Sequence, residues 1–541
     1  MKKRWVVLNE EKDQDLRQVL LKNRKVEDPD SFFQPHLYKL TAPDKLFSEL
    51  DLAVERIKKA IKEKELIYIY GDFDVDGIAG TAILWETIDF LGGKVLPYIP
   101  HREKEGYGLH PEALKSLAGE GAKVVITVDC GIAAAAEAKI AKKLGVDLII
   151  TDHHTKQPQL PEAFAILHAE KLAGSGVAFM VAKALLESFS KRKDEQLFKN
   201  LELASLGTIA DIVPLTGDNR IITANGLHNL ASSSRIGLRA LYEAAALNKK
   251  IGTYEVGFII APRLNAAGRM EHALDSLRLL LTRKKERARQ LAAKLSQTNE
   301  KRQEALKTAL EHARGSLPSE PAKMIIVHHE SYPQGVIGLV AGKLVDEFYR
   351  PSLAISETKP ISKGSARSVS GFNIVEAIGS AKELLVDHGG HPMAAGFSIE
   401  HKNLPYFKNK MLEYAAKNLK DEDLVPSLKI DCNLNSGLLN PKTLELVREF
   451  EPFGVGNPEP TFVTENLEVA DARTVGNEGK HLRLVLRTPN HFVYDAIGFG
   501  LGGKNVAVGD RLDAAYTLSE DTWRGDGRLE LKIKDLRSSK S

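Results

Sequence analysis

The sequence predicts a multidomain α/β protein whose first large domain is an open parallel sheet, and three observations predict it. Apolar, strand-like runs at 65–71, 94–99, 123–128 and 147–151 alternate with helical stretches, the pattern of a parallel sheet covered on both faces. Acidic residues stand directly after three of those runs. The chain, at 541 residues, also exceeds what one hydrophobic core organises, so three or four units are expected.

The elements follow in chain order. Residues 1–64 read as an N-terminal extension, with a basic start at Met1-Lys2-Lys3-Arg4. The polar stretch Asn9 to Asp15 occupies the place an apolar signal core would need, which predicts a cytoplasmic protein. Residues 65–270 form the expected catalytic domain: ELIYIYG (65–71) is the first strand, a helix runs from Gly77 through Leu91, and three more strand–helix repeats follow. Within it, 196–250 is mostly helical and APRLNAAGRM (261–270) reads as an interrupting polar loop.

The connecting segment 271–317 contains one long helix over 283–315, because Ala288, Leu291, Ala292, Leu295, Leu306, Ala309, Leu310 and Ala313 recur near three-four spacing. Its length, roughly 45 Å at about 1.5 Å per residue, suits a bridge between domains. Pro318 and Pro321 stop it. A smaller α/β unit is expected over 318–420, opening on the strand KMIIVHH (323–329). Residues 421–541 close the chain as a small β-barrel, given alternating runs such as HLRLVLR (481–487) and RLELKIKDL (528–536).

Composition removes several function classes. Hydrophobic residues at 43% and charged residues at 27%, with no run long enough to cross a bilayer, argue against a membrane protein. Two distant cysteines, Cys130 and Cys432, predict neither a disulfide framework nor thiolate-held zinc. Lys and Arg (75) nearly balance Asp and Glu (72), so any nucleic-acid contact must use local basic surfaces.

The chemistry lies in the acidic clusters: Asp72, Asp74 and Asp76 after the first strand, Asp129 after the third, Asp152-His153-His154 after the fourth. Ligands of open α/β sheets bind at the carboxyl ends of the strands, so these side chains are expected to converge. Carboxylates crowded in this way repel unless cations neutralise them, and carboxylate with imidazole suits manganese or magnesium. Two divalent cations can activate water against a phosphate ester, which makes a phosphodiester the natural substrate class. Taken singly, the signals are weaker. Asp76-Gly77 reads equally well as a turn, an isolated Asp-His-His is a loose match, and Cys130 beside Asp129 is better read as a small packing residue than as a redox group.

In combination, GDFDVDG (71–77), VDCG (128–131), DHH (152–154) and LASLGTIADIVPL (203–215) resemble the four successive motifs of the DHH phosphoesterases, in their RecJ variety. The resemblance implies that Asp74, Asp76, Asp129, His153 and Asp211 ligate metal, with Asp129 bridging two Mn2+ or Mg2+ ions. Asp72 joins them because Tyr70 replaces the family's upstream histidine. Asp152 and His154 are implied to orient ligands or touch substrate.

GVIGLVAGKLV (335–345), GSARS (364–368) and GGHPMAAGFS (389–398) resemble the DHH-associated domain. That likeness implies a 5′-phosphate site of Ser365, Arg367 and Arg102, with His391 on the scissile phosphate beside Gly389 and Gly390. Arg102, in the charged stretch HREKEGYG, reads equally well as ordinary surface. Arg263 and Arg269 match a further RecJ stretch, which implies that they meet the nucleic-acid backbone or support the metal site. EPFGVGNPEP (451–460) resembles the entry to an OB-type domain, where Arg483, Arg487, Arg524, Arg528 and Lys532 are candidate strand contacts. The family's extra Pro-rich residues between the DHH motif and Gly174 are missing here.

The resemblance spans about residues 65–500. It implies an exonuclease that takes single-stranded DNA from a 5′ end in repair and recombination, alongside a helicase and a single-stranded-DNA-binding protein. The alternatives are a DHH phosphodiesterase of short oligoribonucleotides or cyclic dinucleotides, and a non-catalytic replication scaffold.

Overall fold

The computed structural model describes residues 3–10, 15–189, 194–247, 251–521 and 527–539. The chain divides into two compact units, residues 36–424 and residues 1–35 with 425–541.

The larger unit opens on a five-stranded, fully parallel sheet in the order Lys94–Tyr98, Leu66–Gly71, Ala122–Val128, Asp147–Asp152, Ala165–His168. Alternating residues of the first strand serve two cores. Ile67 and Ile69 pack beneath the helices Leu50–Glu63, Val75–Phe90 and Gly174–Ser188, while Leu66, Tyr68 and Tyr70 join Leu114, Leu117 and Ala138 on the opposite face. The continuous apolar runs are thus buried on both sides, as their composition requires. The fifth strand, Ala165–His168, is too short and too mixed (AILH) to register in the sequence. Strand order reverses between Leu66–Gly71 and Ala122–Val128, which places the crevice at that switch point.

The expected loop at 261–270 is a helix, Ala261–Met270. Pro262 directly follows the π-helical turn Val256–Ile260, where the regular i→i−4 ladder is already interrupted, and Leu264 and Ala267 point into the core. The long helix runs over Lys285–Gly315 and does link two cores: Ala288, Leu291, Ala292 and Leu295 belong to the large one, Ala309, Leu310 and Ala313 to that of the second sheet. That sheet is mixed, in the order Leu385–His391, Ala394–Glu400, Ile361–Arg367, Ser352–Ser356, Ile325–His329, and only its last pair is parallel.

In the smaller unit, strands Phe462–Val475, His481–Arg487, Val493–Gly498, Leu529–Ser538 and Arg511–Glu520 pair in a ring, the first closing on the last, to make a five-stranded barrel. The first 64 residues divide between the units. Arg4–Asn9 lies parallel to Ser427–Asn433 beside the barrel, whereas Leu50–Glu63 covers the parallel sheet. Two of the barrel's candidate strand contacts are already paired, Arg487 with Glu468 at 2.9 Å and Arg483 with Asp495 at 3.5 Å. Arg524 lies outside the described residues. Among the described residues, no helix is long and apolar enough to cross a membrane.

Candidate active site

The sheet register delivers the acidic residues to one edge. Asp72 N–H donates to Val128 O at 3.2 Å and Asp129 N–H to Thr151 O at 3.0 Å, so the ladders run one residue past the strands and Asp72, Asp129 and Asp152 leave the same rim. The chain then turns straight into the helix Val75–Phe90. Asp74 caps it, its Oδ1 accepting from the N–H groups of Asp76 (2.9 Å) and Gly77 (3.1 Å). A Cβ on Gly77 would lie 2.7 Å from both Cβ and N of Asp72, so only glycine lets the helix start against the strand end. The carboxylate of Asp76 points the other way, into the N-terminus of helix Gly174–Ser188, where N–H of Gly174 (2.6 Å) and of Ser175 (3.0 Å) donate to it.

Two further carboxylates depend on left-handed backbone. Asp129 has φ 62° and Ile212, next to Asp211, also has φ 62°. Aspartate tolerates that region, but a β-branched residue is strained by roughly 1–2 kcal/mol. Ile212 is 68% exposed, so no burial compensates. Ile212→Asn is therefore expected to stabilise the protein by about 1 kcal/mol, read as a rise in urea midpoint at constant slope.

These residues converge. Three sets, Asp72/Asp74/Asp129, Asp76/His153/Asp211 and Asp129/His153/His154, each present ligand atoms within 4.8 Å of one another. Nε2 of His153 lies 3.1 Å from Asp129 Oδ1 and 3.7 Å from Asp211 Oδ2 without hydrogen-bond geometry to either. Asp72 Oδ1, Asp129 Oδ1 and His153 Nε2 are buried with no hydrogen-bond partner in the protein. Orphaned acceptors of this kind are costly unless a cation meets them, so the donor set fits hard divalent ions. Electrostatics agree. Burial, then the neighbouring aspartates, drives the Asp72 and Asp129 carboxyls well above the usual range, and the same causes push Asp211 up to about 9. Burial lowers His153, leaving a neutral imidazole suited to ligation.

Asp152 is an orienting group. Its Oδ1 accepts from N–H of His153 (2.7 Å) and His154 (3.1 Å) and faces His154 Nδ1 at 2.8 Å, while Oδ2 accepts from Ile132 N–H at 2.9 Å. Burial opposes the charge on His154, but the Asp152 bond and the charges of Asp152, Asp72 and Asp74 outweigh it and raise its pKa.

Across from the carboxylates stands a basic lobe. Ser365 and Arg367 occupy one strand, and Arg367 Nη1 lies 3.3 Å from Ser365 Oγ. Both face the first turn of helix Ile337–Phe348, since a Cβ on Gly338 would lie 3.1 Å from Ser365 Oγ and 3.3 Å from Arg367 Nη2. A helix N-terminus joined to Arg and Ser makes an anion cradle. Arg102 is directed inward: its guanidinium lies 4.7 Å from the Phe73 ring centroid and interacts with Asp72 and Asp74. Arg269 is held below its ordinary pKa by burial and then by repulsion from Arg102, Arg302 and Arg367, a tension that an anion relieves. His391 stacks on His154, with centroids 6.2 Å apart and planes 15° off parallel. Gly389 has open space beside it, whereas Gly390, at φ 140°, is fixed by the hairpin because a Cβ would meet Ala394 O at 2.4 Å. Arg263 is not brought to this cluster; its Nη1 donates to Ile259 O at 2.8 Å on its own helix.

Three supports of the site carry no signal of their role along the sequence. Tyr107 OH donates to Asp129 O (3.0 Å) and lies 3.1 Å from His154 Nδ1; Asn265 Oδ1 accepts from Val75 N–H (3.1 Å); Gly174 abuts Asp129. Each sits inside or beside a quoted motif, but its role is a contact between segments far apart in the chain. A Cβ on Gly174 would fall 2.6 Å from Asp129 Oδ1. Gly174→Ala is therefore expected to weaken Mn2+ affinity by about 10- to 100-fold in calorimetry, with circular dichroism unchanged.

Residues 66–208 match the DHH family N-terminal domain, 322–417 the DHHA1 domain and 430–535 the RecJ OB domain. The single-stranded-DNA-specific exonuclease RecJ of Bacillus subtilis is 38% identical over 503 residues, covering 90% of this chain and 63% of that protein. The RecJ of Thermus thermophilus is 35% identical, covering 90% and 70%. The crystal structure of Thermus thermophilus RecJ with Mn2+ aligns at TM-score 0.86 and 32% identity over 99% of this chain and 80% of that one; the complex with Mg2+ gives 0.79 at 30% over 99% and 79%. The chain thus spans less than two thirds of the Bacillus relative. With all three domains in order and the metal-binding motifs converged at one sheet edge, the chain belongs to the RecJ family of single-stranded-DNA-specific exonucleases within the DHH phosphoesterases.

Proposed function

We propose that this chain hydrolyses single-stranded DNA stepwise from its 5′ end, releasing mononucleotides, and that it does so with two divalent cations, Mn2+ or Mg2+. The observation that carries the reading is that Arg102 interacts both with Asp72 and Asp74 and with Arg367 of an anion cradle, which Ser365 and Arg367 form at the N-terminus of Ile337–Phe348, while His391 stacks on His154. A terminal phosphate held in the cradle fixes which phosphodiester meets the carboxylates; that the end is the 5′ one rests on the RecJ resemblance.

Asp72, Asp74 and Asp129 would hold one cation, and Asp76, His153 and Asp211 the other, with Asp129 shared. A bound divalent pair supplies Lewis acidity toward the phosphoryl group and toward an attacking water. The chain's own residues do the rest. Asp152 fixes the His154 ring and favours its protonated form, so His154 presents a donor to the scissile phosphate, with His391 stacked on it. Arg102, Arg269 and Arg367 neutralise the nucleotide's charge. The RecJ resemblance adds to this proposal a helicase and a single-stranded-DNA-binding protein as partners, in a cytoplasmic setting of DNA repair and recombination.

Purified protein with Mn2+ should release mononucleotides from 5′-phosphorylated single strands and leave duplex, short oligoribonucleotides and pyrophosphate largely intact. Replacing the 5′ phosphate by hydroxyl, or Arg367 by Ala, is expected to raise KM about 10- to 100-fold, the worth of a charged hydrogen-bond pair. Cleavage from the 3′ end, or equal turnover of pyrophosphate, would overturn the assignment.

A further inference from the structure

Tyr254 and Phe258 are two large rings left on the surface, 63% and 71% exposed, while Val256 and Ile260 of the same segment pack into the large core. They stack on each other, centroids 5.0 Å apart and planes 27° from parallel. They ride on the segment that leads into the active site. Thr253–Glu255, the π-helical turn Val256–Ile260 and the helix Ala261–Met270 succeed one another without a break. The far end of this rod is tied to the site: Asn265 Oδ1 accepts from Val75 N–H, a Cβ on Gly268 would lie 2.7 Å from Phe73 O, and Arg269 Nη1 lies 3.3 Å from Gly335 O.

Helical geometry relates the rings to these anchors. At about 100° per residue in α-helix and about 82° through a π-turn, Tyr254 and Phe258 point the same way, and Asn265 lies within roughly a quarter-turn of them. The axial separation from Phe258 to Asn265 is roughly 10 Å, about three nucleotides of a stacked strand at about 3.4 Å each. Arg263 lies between them on the same rod and is partly exposed; its Nη1 is held by Ile259 O and its Nε is buried, which leaves Nη2 as the donor that can face solvent. Aromatic faces beside a guanidinium suit a nucleobase and its phosphate, and a π-turn is a common way to re-aim side chains at a functional surface.

We propose that the Tyr254–Phe258 pair is a stacking platform for a base of the substrate strand a few nucleotides beyond the scissile phosphate, with Arg263 as its phosphate contact. This rests on the exonuclease reading above for the identity of the strand. Its effect is on grip, not on chemistry.

The test compares the whole protein with a Tyr254→Ala/Phe258→Ala double variant and with Phe258→Trp. Binding of fluorescein-labelled, 5′-phosphorylated dT20 is read by anisotropy without divalent metal, and hydrolysis of dT20 and of the trinucleotide dT3 is read with Mn2+. The double variant should bind dT20 about 5- to 100-fold more weakly and show a raised KM on dT20 alone, with kcat on dT20 and kcat/KM on dT3 unchanged. Phe258→Trp should bind at least as well as the unaltered protein. Unchanged dT20 affinity in the double variant overturns the platform, and so does an equal loss on dT3. A changed oligomeric state with intact dT20 affinity overturns it as well, assigning the rings to a protein contact. A binding defect supports the platform whether or not the strand is cut, whereas failure of the unaltered protein to cut either strand counts against the exonuclease reading alone.

Discussion

Asp129→Asn should lower hydrolysis of single-stranded DNA by at least about 10³-fold while leaving the metal-free protein more stable than the unaltered one. Both halves follow from one geometry. The Asp129 carboxyl belongs to two of the three ligand sets, and in the proposed arrangement it is shared by both cations, so its loss would disrupt both positions at once. It is also buried among Asp72, Asp74, Asp76 and Asp211, and its Oδ1 has no hydrogen-bond partner in the protein. In the absence of cations that charge is a liability, and a neutral amide of the same shape removes it for a gain of about 1–2 kcal/mol. Asparagine is the right replacement because Asp129 sits at φ 62°, which asparagine adopts easily and alanine does not. Activity is measured on 5′-labelled single strands, stability by thermal unfolding in chelator. A metal-free variant less stable than the unaltered protein would mean that Asp129 is a structural anchor, and a residual rate within tenfold would remove it from the ligand set.

The same contrast between local and distant causes explains what could be read in the sequence. Asp72, Asp129 and Asp152 were legible as one site because each ends a parallel strand, and parallel strands in register bring their ends to a common rim. The long helix was legible from its own periodicity, although its midpoint carries the buried Thr298 and Asn299 where the two cores part. The helix Ala261–Met270 was not legible, because Pro262, Asn265 and Gly268 all argue locally against helix. Each is explained only by a distant contact or by position: Pro262 directly after the π-helical turn, Asn265 capping Val75, Gly268 against Phe73 O. The pairing of Arg4–Asn9 with Ser427–Asn433 bridges more than four hundred residues, beyond the reach of any pattern along the chain. Arg102 was undecidable from a charged loop, and its placement over Phe73 toward Asp72 and Asp74 is a purely tertiary fact. Cys130, by contrast, behaves as its size and neighbours suggest, fully buried in the core with Tyr70 and Ile150.

Stabilisation by Mn2+ or Mg2+ should increase with pH between about 5 and 8, and the sign can be worked from the carboxyls. Asp211 is pushed up to about 9 by burial and then by Asp76, Asp74 and Asp72, against about 3.9 in an unfolded chain. The folded, metal-free protein therefore binds more protons than the unfolded one across that window. Unfolding free energy then falls as pH rises from about 4 toward 9, and the raised carboxyls of Asp72, Asp74 and Asp129 act in the same direction. Cations bind only the ionised ligands, so their apparent affinity climbs over the same range as protons are displaced. His153, held toward its neutral form by burial, adds little proton competition near neutral pH. At a concentration about 100-fold above the dissociation constant, binding contributes about 2.7 kcal/mol, which corresponds to a rise of several degrees in Tm. Scanning Tm with and without 1 mM Mg2+ at pH 5.5, 6.5 and 7.5 should show the interval widening at each step, and Asp129→Asn should flatten it. An interval independent of pH would mean that these carboxylates are already ionised without cations, and the electrostatic case for a paired-ion centre would fail.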